Sequence, residues 1–98
     1  MHNDIASNHA KLSQLVEQAR LIVANARAAL DAAGASPENL VMVRVYMVDL
    51  TPERLDALMP SLLELFDGSR PSVTGVDVVA LAAPDLQLEV EMIARLPQ

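Results

Sequence analysis

VMVRVYMVDLTPERLDALMPSLLELF, residues 41–66, changes its hydrophobic period halfway along. Val41 to Val48 is β-branched and apolar, which predicts a strand with little solvent exposure. At Thr51-Pro52-Glu53 the pattern switches. A threonine can cap a helix, proline suits its first position, and glutamate complements the positive end of the helix dipole. The helix from Pro52 is expected to bury Leu55, Leu58, Met59, Leu62, Leu63 and Phe66. Pro60 removes a backbone donor and crowds the preceding turn, at a cost of about 3 kcal/mol, so a kink or break is expected there. Asp67-Gly68-Ser69-Arg70-Pro71 then ends the helix and leads into a second strand, about residues 72–80.

Toward the N-terminus, Leu12, Leu15, Val16, Ala19, Ile22, Val23, Ala26, Leu30 and Ala33 recur at three- and four-residue steps, one face of a helix. Gly34 marks its end and Ser36-Pro37-Glu38-Asn39 a turn. Residues 1–11 have no period and are expected to be a flexible N-terminus, with Ser7 or Asn8 as cap, so that residues 12–98 form the single domain. Toward the C-terminus, Ala82-Ala83-Pro84-Asp85 is expected to send a third strand, residues 86–96, back along the second as a hairpin. The order α-β-α-β-β, with a crossover joining parallel strands, predicts an α+β fold with two helices on one face of a mixed sheet.

Alternation splits each strand into two faces. One is apolar and is expected to lie under the helices: Val41, Val43, Val45 and Met47, then Val76, Val78 and Ala80, then Leu88, Val90, Met92 and Ala94. The other mixes apolar and charged side chains: Met42, Arg44, Tyr46 and Val48, then Val73, Gly75, Asp77 and Val79, then Gln87, Glu89, Glu91, Ile93 and Arg95. Such a mixture suits a subunit interface with wet clefts.

Composition narrows the function classes. The 98 residues carry 7 Lys+Arg against 13 Asp+Glu, a net charge of −6. With one Tyr, one Phe and no Trp, the chain lacks the basic footprint and stacking platforms of nucleic-acid binding. No cysteine is present, which removes disulfides, thiolate metal sites and thiol nucleophiles. His2 and His9 are the only histidines, so neither a metal site nor a serine triad is expected. The apolar runs are too short for a membrane span and the start is unlike a signal peptide, giving the expectation of a cytoplasmic protein. A chain of this size gains from self-association, and exposed strand edges point the same way.

The stretch EQARLIVANARAALDAAGASPENLVMVRVYMVDL, a helix, and RPSVTGVDVVALAAPDLQLEVEMIA together resemble the YjgF-like or Rid family of reactive-intermediate (enamine/imine) deaminases. The match runs from about Glu17 to Leu96 and rests on ALDAAGAS, Asp49-Leu50, Arg70-Pro71 and Glu89-Val90-Glu91-Met92-Ile93-Ala94. The resemblance implies a chorismate-mutase-like fold, a homotrimer with ligand clefts between subunits, and cofactor-free hydrolysis of 2-aminoacrylate-type enamines and imines to 2-keto acids and ammonia. It implies that Glu89 is the catalytic, water-orienting carboxylate. The family's carboxylate-gripping arginine falls at Val73. Gly75 stands where cysteine is frequent and Met59 where an asparagine is common. The family's two strands before the first helix have no counterpart in residues 1–11.

Arg44, Tyr46, Arg70, Val73, Gly75 and Glu91 are the expected substrate-binding positions around Glu89. Arg44 or Arg95 could replace the missing cation. The expected partners are copies of the chain and a small carboxylate-bearing metabolite, with no cofactor, metal, nucleic acid or membrane. The alternatives to a divergent deaminase are a non-catalytic small-molecule binding or trimeric assembly module, and a shortened form of a longer protein.

Overall fold

A computed structural model describes residues 5–97. The elements are α1 (Ile5–Ala32), a single 3-10 turn (Pro37–Asn39), β1 (Leu40–Val48), α2 (Pro52–Phe66), β2 (Ser72–Val78) and β3 (Leu88–Ala94). This is the expected α-β-α-β-β order, and α1 and α2 pack on each other over one face of the sheet.

α1 begins at Ile5, well before the expected start at Leu12, and Ser7 and Asn8 lie within it rather than capping it. Of the segment expected to be flexible, residues 1–4 lie outside the described residues. The extension has a tertiary anchor: Gln87 Nε2 donates to the Lys11 carbonyl at 3.1 Å. α1 closes as its composition predicts. Gly34 takes the left-handed conformation (φ 71°) and the Ala35 N–H reaches back to the Leu30 carbonyl at 2.8 Å, satisfying a terminal carbonyl.

β1 lies in the middle of the sheet, in the order β2-β1-β3. β2 runs parallel to it. β3 runs antiparallel to β1, not to β2, so the expected β2–β3 hairpin is replaced by a connection, residues 79–87, that carries the chain over β1 to its far edge. The physical reason is burial. β1 alone among the strands has Val43, Val45 and Met47 fully covered by the helices, and the central place in the sheet removes the most apolar strand from water.

Two face assignments change with the register. A shift between Leu40 and Met42 is a bulge that turns Leu40 into the core and leaves Val41 exposed. In β2, Val73, Gly75 and Asp77 pair with Val43, Val45 and Met47, whereas Val76 pairs with Tyr46 and Val78 with Val48. Paired residues share a face, so Val73, Gly75 and Asp77 are on the helix side and Val76 and Val78 on the open side, the reverse of the expectation. Ala80 lies beyond the end of β2 and is exposed. The register has a visible fastening: the Leu50 N–H donates to Asp77 Oδ1 at 3.1 Å. β3 keeps its expected faces, with Leu88, Val90 and Met92 opposite Met47, Val45 and Val43.

α2 starts as its sequence dictates, with Thr51 accepting from the Arg54 N–H and Pro52 in the first turn. Thr51→Ala is expected to cost about 1 kcal/mol, lowering the midpoint of a thermal melt by roughly 4–8 °C. The helix does not break at Pro60 and runs on to Phe66. Pro60 and Asp56, whose carbonyl loses its partner there, are both exposed, so water can satisfy the carbonyl. The buried side comprises Leu58, Ser61, Leu62, Leu65 and Phe66. Leu63, expected in the core, points outward, and Leu65 takes its place.

Candidate functional site

The sheet face away from the helices gathers most of the chain's candidate chemistry. Arg44 and Tyr46 alternate along β1 with Val43 and Val45, which the core claims, so both polar side chains are turned to the open side. The antiparallel register places Glu91 opposite Arg44 and Glu89 opposite Tyr46. Arg44 Nη1 lies 3.0 Å from Glu91 Oε1, and the Tyr46 hydroxyl donates to the same oxygen at 3.3 Å. The hydrogen bond with Glu91, followed by that with Tyr46, holds the Arg44 guanidinium above its ordinary value. Both members of the ion pair remain partly exposed, 43% and 49%, so it orients the side chains more than it stabilises the fold.

Glu89 is exposed and forms no ion pair among the described residues. It stands beside the Arg44–Tyr46–Glu91 cluster and also at the rim of an apolar groove of about 330 Å³ between α1 and β3, lined by Ile22, Ala26, Leu88, Val90 and Met92. The cluster therefore offers an unpaired carboxylate, a phenol and a guanidinium already engaged by a second carboxylate.

The remaining expected positions lie elsewhere. Val73 sits opposite Val43 on the helix side of the sheet's edge. Gly75 lies opposite Val45, and a Cβ there would meet Leu50 Cδ2 at 3.7 Å, ordinary contact that leaves room for a small side chain. Arg70 is exposed in the loop before β2. Arg95 lies past the end of β3, where its backbone N–H donates to the Asn39 carbonyl at 2.8 Å. The structure thus brings together Arg44, Tyr46, Glu89 and Glu91, and leaves Arg70, Val73, Gly75 and Arg95 apart from them.

A polar junction at the start of β3 escaped the sequence reading. Arg54 donates to the Val48 carbonyl at 3.1 Å and to Gln87 Oε1 at 2.8 Å, and the Gln87 N–H donates to Gln18 Oε1 at 2.9 Å. It ties α1, β1 and α2 to the segment that enters β3, and only the length of these polar side chains hinted at such a role. Among the described residues, no group of three or more His, Asp or Glu could hold a metal ion, and no helix is long and apolar enough to cross a membrane.

Comparison with known proteins agrees with this architecture. The family described as Endoribonuclease L-PSP matches residues 4–96. Among solved structures, the Rid-family protein YyfB from Yersinia pestis, described as of unknown function, is 33% identical with a TM-score of 0.77; the match covers 83% of this chain and 62% of that one. Rv2704 from Mycobacterium tuberculosis, a member of the YjgF/YER057c/UK114 family, is 34% identical with a TM-score of 0.63, over 69% of this chain and 56% of that one. TdcF from E. coli, solved with bound serine, is 27% identical with a TM-score of 0.68, over 85% of this chain and 65% of that one. The matches thus span less than two thirds of each of these relatives. No curated protein matches the chain. The match over nearly the whole chain and the shared α+β architecture make this protein a member of the Endoribonuclease L-PSP family, the YjgF/Rid family.

Proposed function

We propose that this chain holds a small carboxylate-bearing metabolite of the enamine or imine class at the open sheet face, in a cleft that further copies of the chain complete as a homotrimer. The observation that supports this most directly is the cluster of Arg44, Tyr46 and Glu91 beside the unpaired Glu89. In this reading Glu89 orients a water molecule toward the C=N carbon of the imine. Addition of water forms a carbinolamine, and loss of ammonia leaves the 2-keto acid, so that imine plus water gives keto acid plus ammonia. Serine bound to TdcF is a ligand of the same size and carries the same carboxylate. The net charge of −6 and the carboxylates at the cluster oppose a polyanionic ligand such as RNA.

A second reading, a non-catalytic binding or assembly module, is favoured by Val73 and by the engagement of Arg44 with Glu91. An ion pair must be broken or shared before Arg44 can grip a substrate carboxylate, and Val73, on the other side of the sheet, supplies no charge in its place. For the first reading this means slow turnover; for the second it means none.

The test is ammonia and pyruvate release from 2-aminoacrylate generated in the assay, with light scattering on the same sample. Measurable release that falls about a hundredfold in Glu89→Ala is expected. Release unchanged by Glu89→Ala would remove Glu89 from the chemistry. No release above the uncatalysed rate, together with saturable serine binding, would leave the binding-module reading.

A further inference from the structure

The turn between β1 and α2 meets the early part of α1 at a cavity of about 280 Å³, lined by Lys11, Leu12, Asp49, Thr51, Glu53 and Arg54. Lys11 and Arg54 bring positive charge to it, and Asp49 and Glu53 negative charge. None of the four takes part in an ion pair among the described residues. Gln87 brings the two cationic residues together: its Nε2 donates to the Lys11 carbonyl at 3.1 Å, and its Oε1 accepts from Arg54 Nη2 at 2.8 Å. The same Nη2 donates to the carbonyl of Val48 at the end of β1, which fixes the guanidinium beside the turn that carries Asp49. Arg54 Nε is buried and has no hydrogen-bond partner. Asp49 is held in the left-handed conformation (φ 59°), which a residue other than glycine adopts at some cost. Glu53 stands in the first turn of α2, where the Thr51 side chain already caps the helix, so the helix start does not need the Glu53 carboxylate as its cap.

Opposite charges that share a cavity without pairing leave both signs open to a ligand. We propose that this cavity is a binding site for a small zwitterion, an α-amino acid with a short side chain, separate from the cluster of Arg44, Tyr46, Glu89 and Glu91. Lys11 and Arg54 receive its carboxylate, and Asp49 and Glu53 receive its ammonium group. Charge balance selects this class. Two cations and two carboxylates cancel, so a simple anion or a simple cation always meets one pair that repels it. Size selects within the class. The cavity falls just below the roughly 300–1,000 Å³ of sites for drug-sized ligands, and Leu12 is the one aliphatic residue in its lining, which suits a short side chain rather than a large apolar one.

The experiment follows backbone amides of the 15N-labelled chain while L-alanine, propionate or ethylamine is added. Propionate lacks the ammonium group of alanine, and ethylamine lacks its carboxylate. L-Alanine should give saturable shifts at Lys11, Asp49, Glu53 and Arg54, and the two part-molecules should each bind at least about tenfold more weakly. Lys11→Gln and Glu53→Gln, both at exposed positions, should each weaken L-alanine about tenfold while the dispersion of the amide spectrum stays that of the parent. Equal binding of propionate and L-alanine would make this a plain anion site and overturn the proposal. So would saturable shifts confined to Arg44, Tyr46, Glu89 and Glu91, no saturation by L-alanine, or an unchanged affinity in either variant.

Discussion

Val45→Asp is expected to abolish the cooperative thermal transition. Val45 is fully buried in the central strand, between Gly75 on β2 and Val90 on β3, with the helices above it. None of the hydrogen bonds around it offers a spare cation or donor, so a carboxylate placed there would be buried without a partner. The cost of several kcal/mol is comparable to the whole stability of a small domain, roughly 5–15 kcal/mol. Far-UV circular dichroism through a temperature ramp checks this. Val41→Asp, four residues earlier on the same strand, is the control: the bulge leaves Val41 48% exposed, and a melt within a few degrees of the parent is expected. A cooperative melt of Val45→Asp, or collapse of Val41→Asp, would mean that the strand's register differs from the one described.

Leu65→Ala should cost about 2–5 kcal/mol, whereas Leu63→Ala should change stability by less than about 0.5 kcal/mol. Leu65 is completely buried and Leu63 is 59% exposed. The contrast is informative because hydrophobic spacing along α2, taken by itself, ranks the two in the opposite order. Urea titration separates them: the midpoint of Leu65→Ala should fall at nearly constant slope and that of Leu63→Ala should stay in place. Comparable losses in both would show that the outer side of α2 is covered in solution by another copy of the chain.

The candidate site was only half legible from the same kind of pattern. Alternation along β1 and β3, which needs only neighbouring residues to be read, puts Glu89 and Glu91 on one face with Arg44 and Tyr46; that β3 lies directly against β1, and not against β2 as a hairpin would have it, comes from the tertiary pairing. Val73 and Gly75 were assigned to that face and lie on the other, because β2 has valines in both phases, at 73 and at 76 and 78. Its phase depends on the parallel pairing with β1 and on the Asp77–Leu50 hydrogen bond, neither of which leaves a local mark. The pairing of Arg44 with Glu91 shows why an arginine on the right face is not yet a free ligand for a carboxylate.

By itself the sequence determined the number, kind and order of the elements. Helical period, strand alternation, the Thr51-Pro52 start and the Gly34 stop each act through residues a few positions apart, where side-chain and backbone chemistry meets directly. Only the tertiary structure decided the rest: β1 at the centre with β3 across it, the bulge that exposes Val41, the phase of β2, the turn of α2 that buries Leu65, and the early start of α1 against Gln87. These features follow from which arrangement hides most apolar surface while pairing the backbone, a comparison between segments far apart in the chain, and no local pattern contains its outcome.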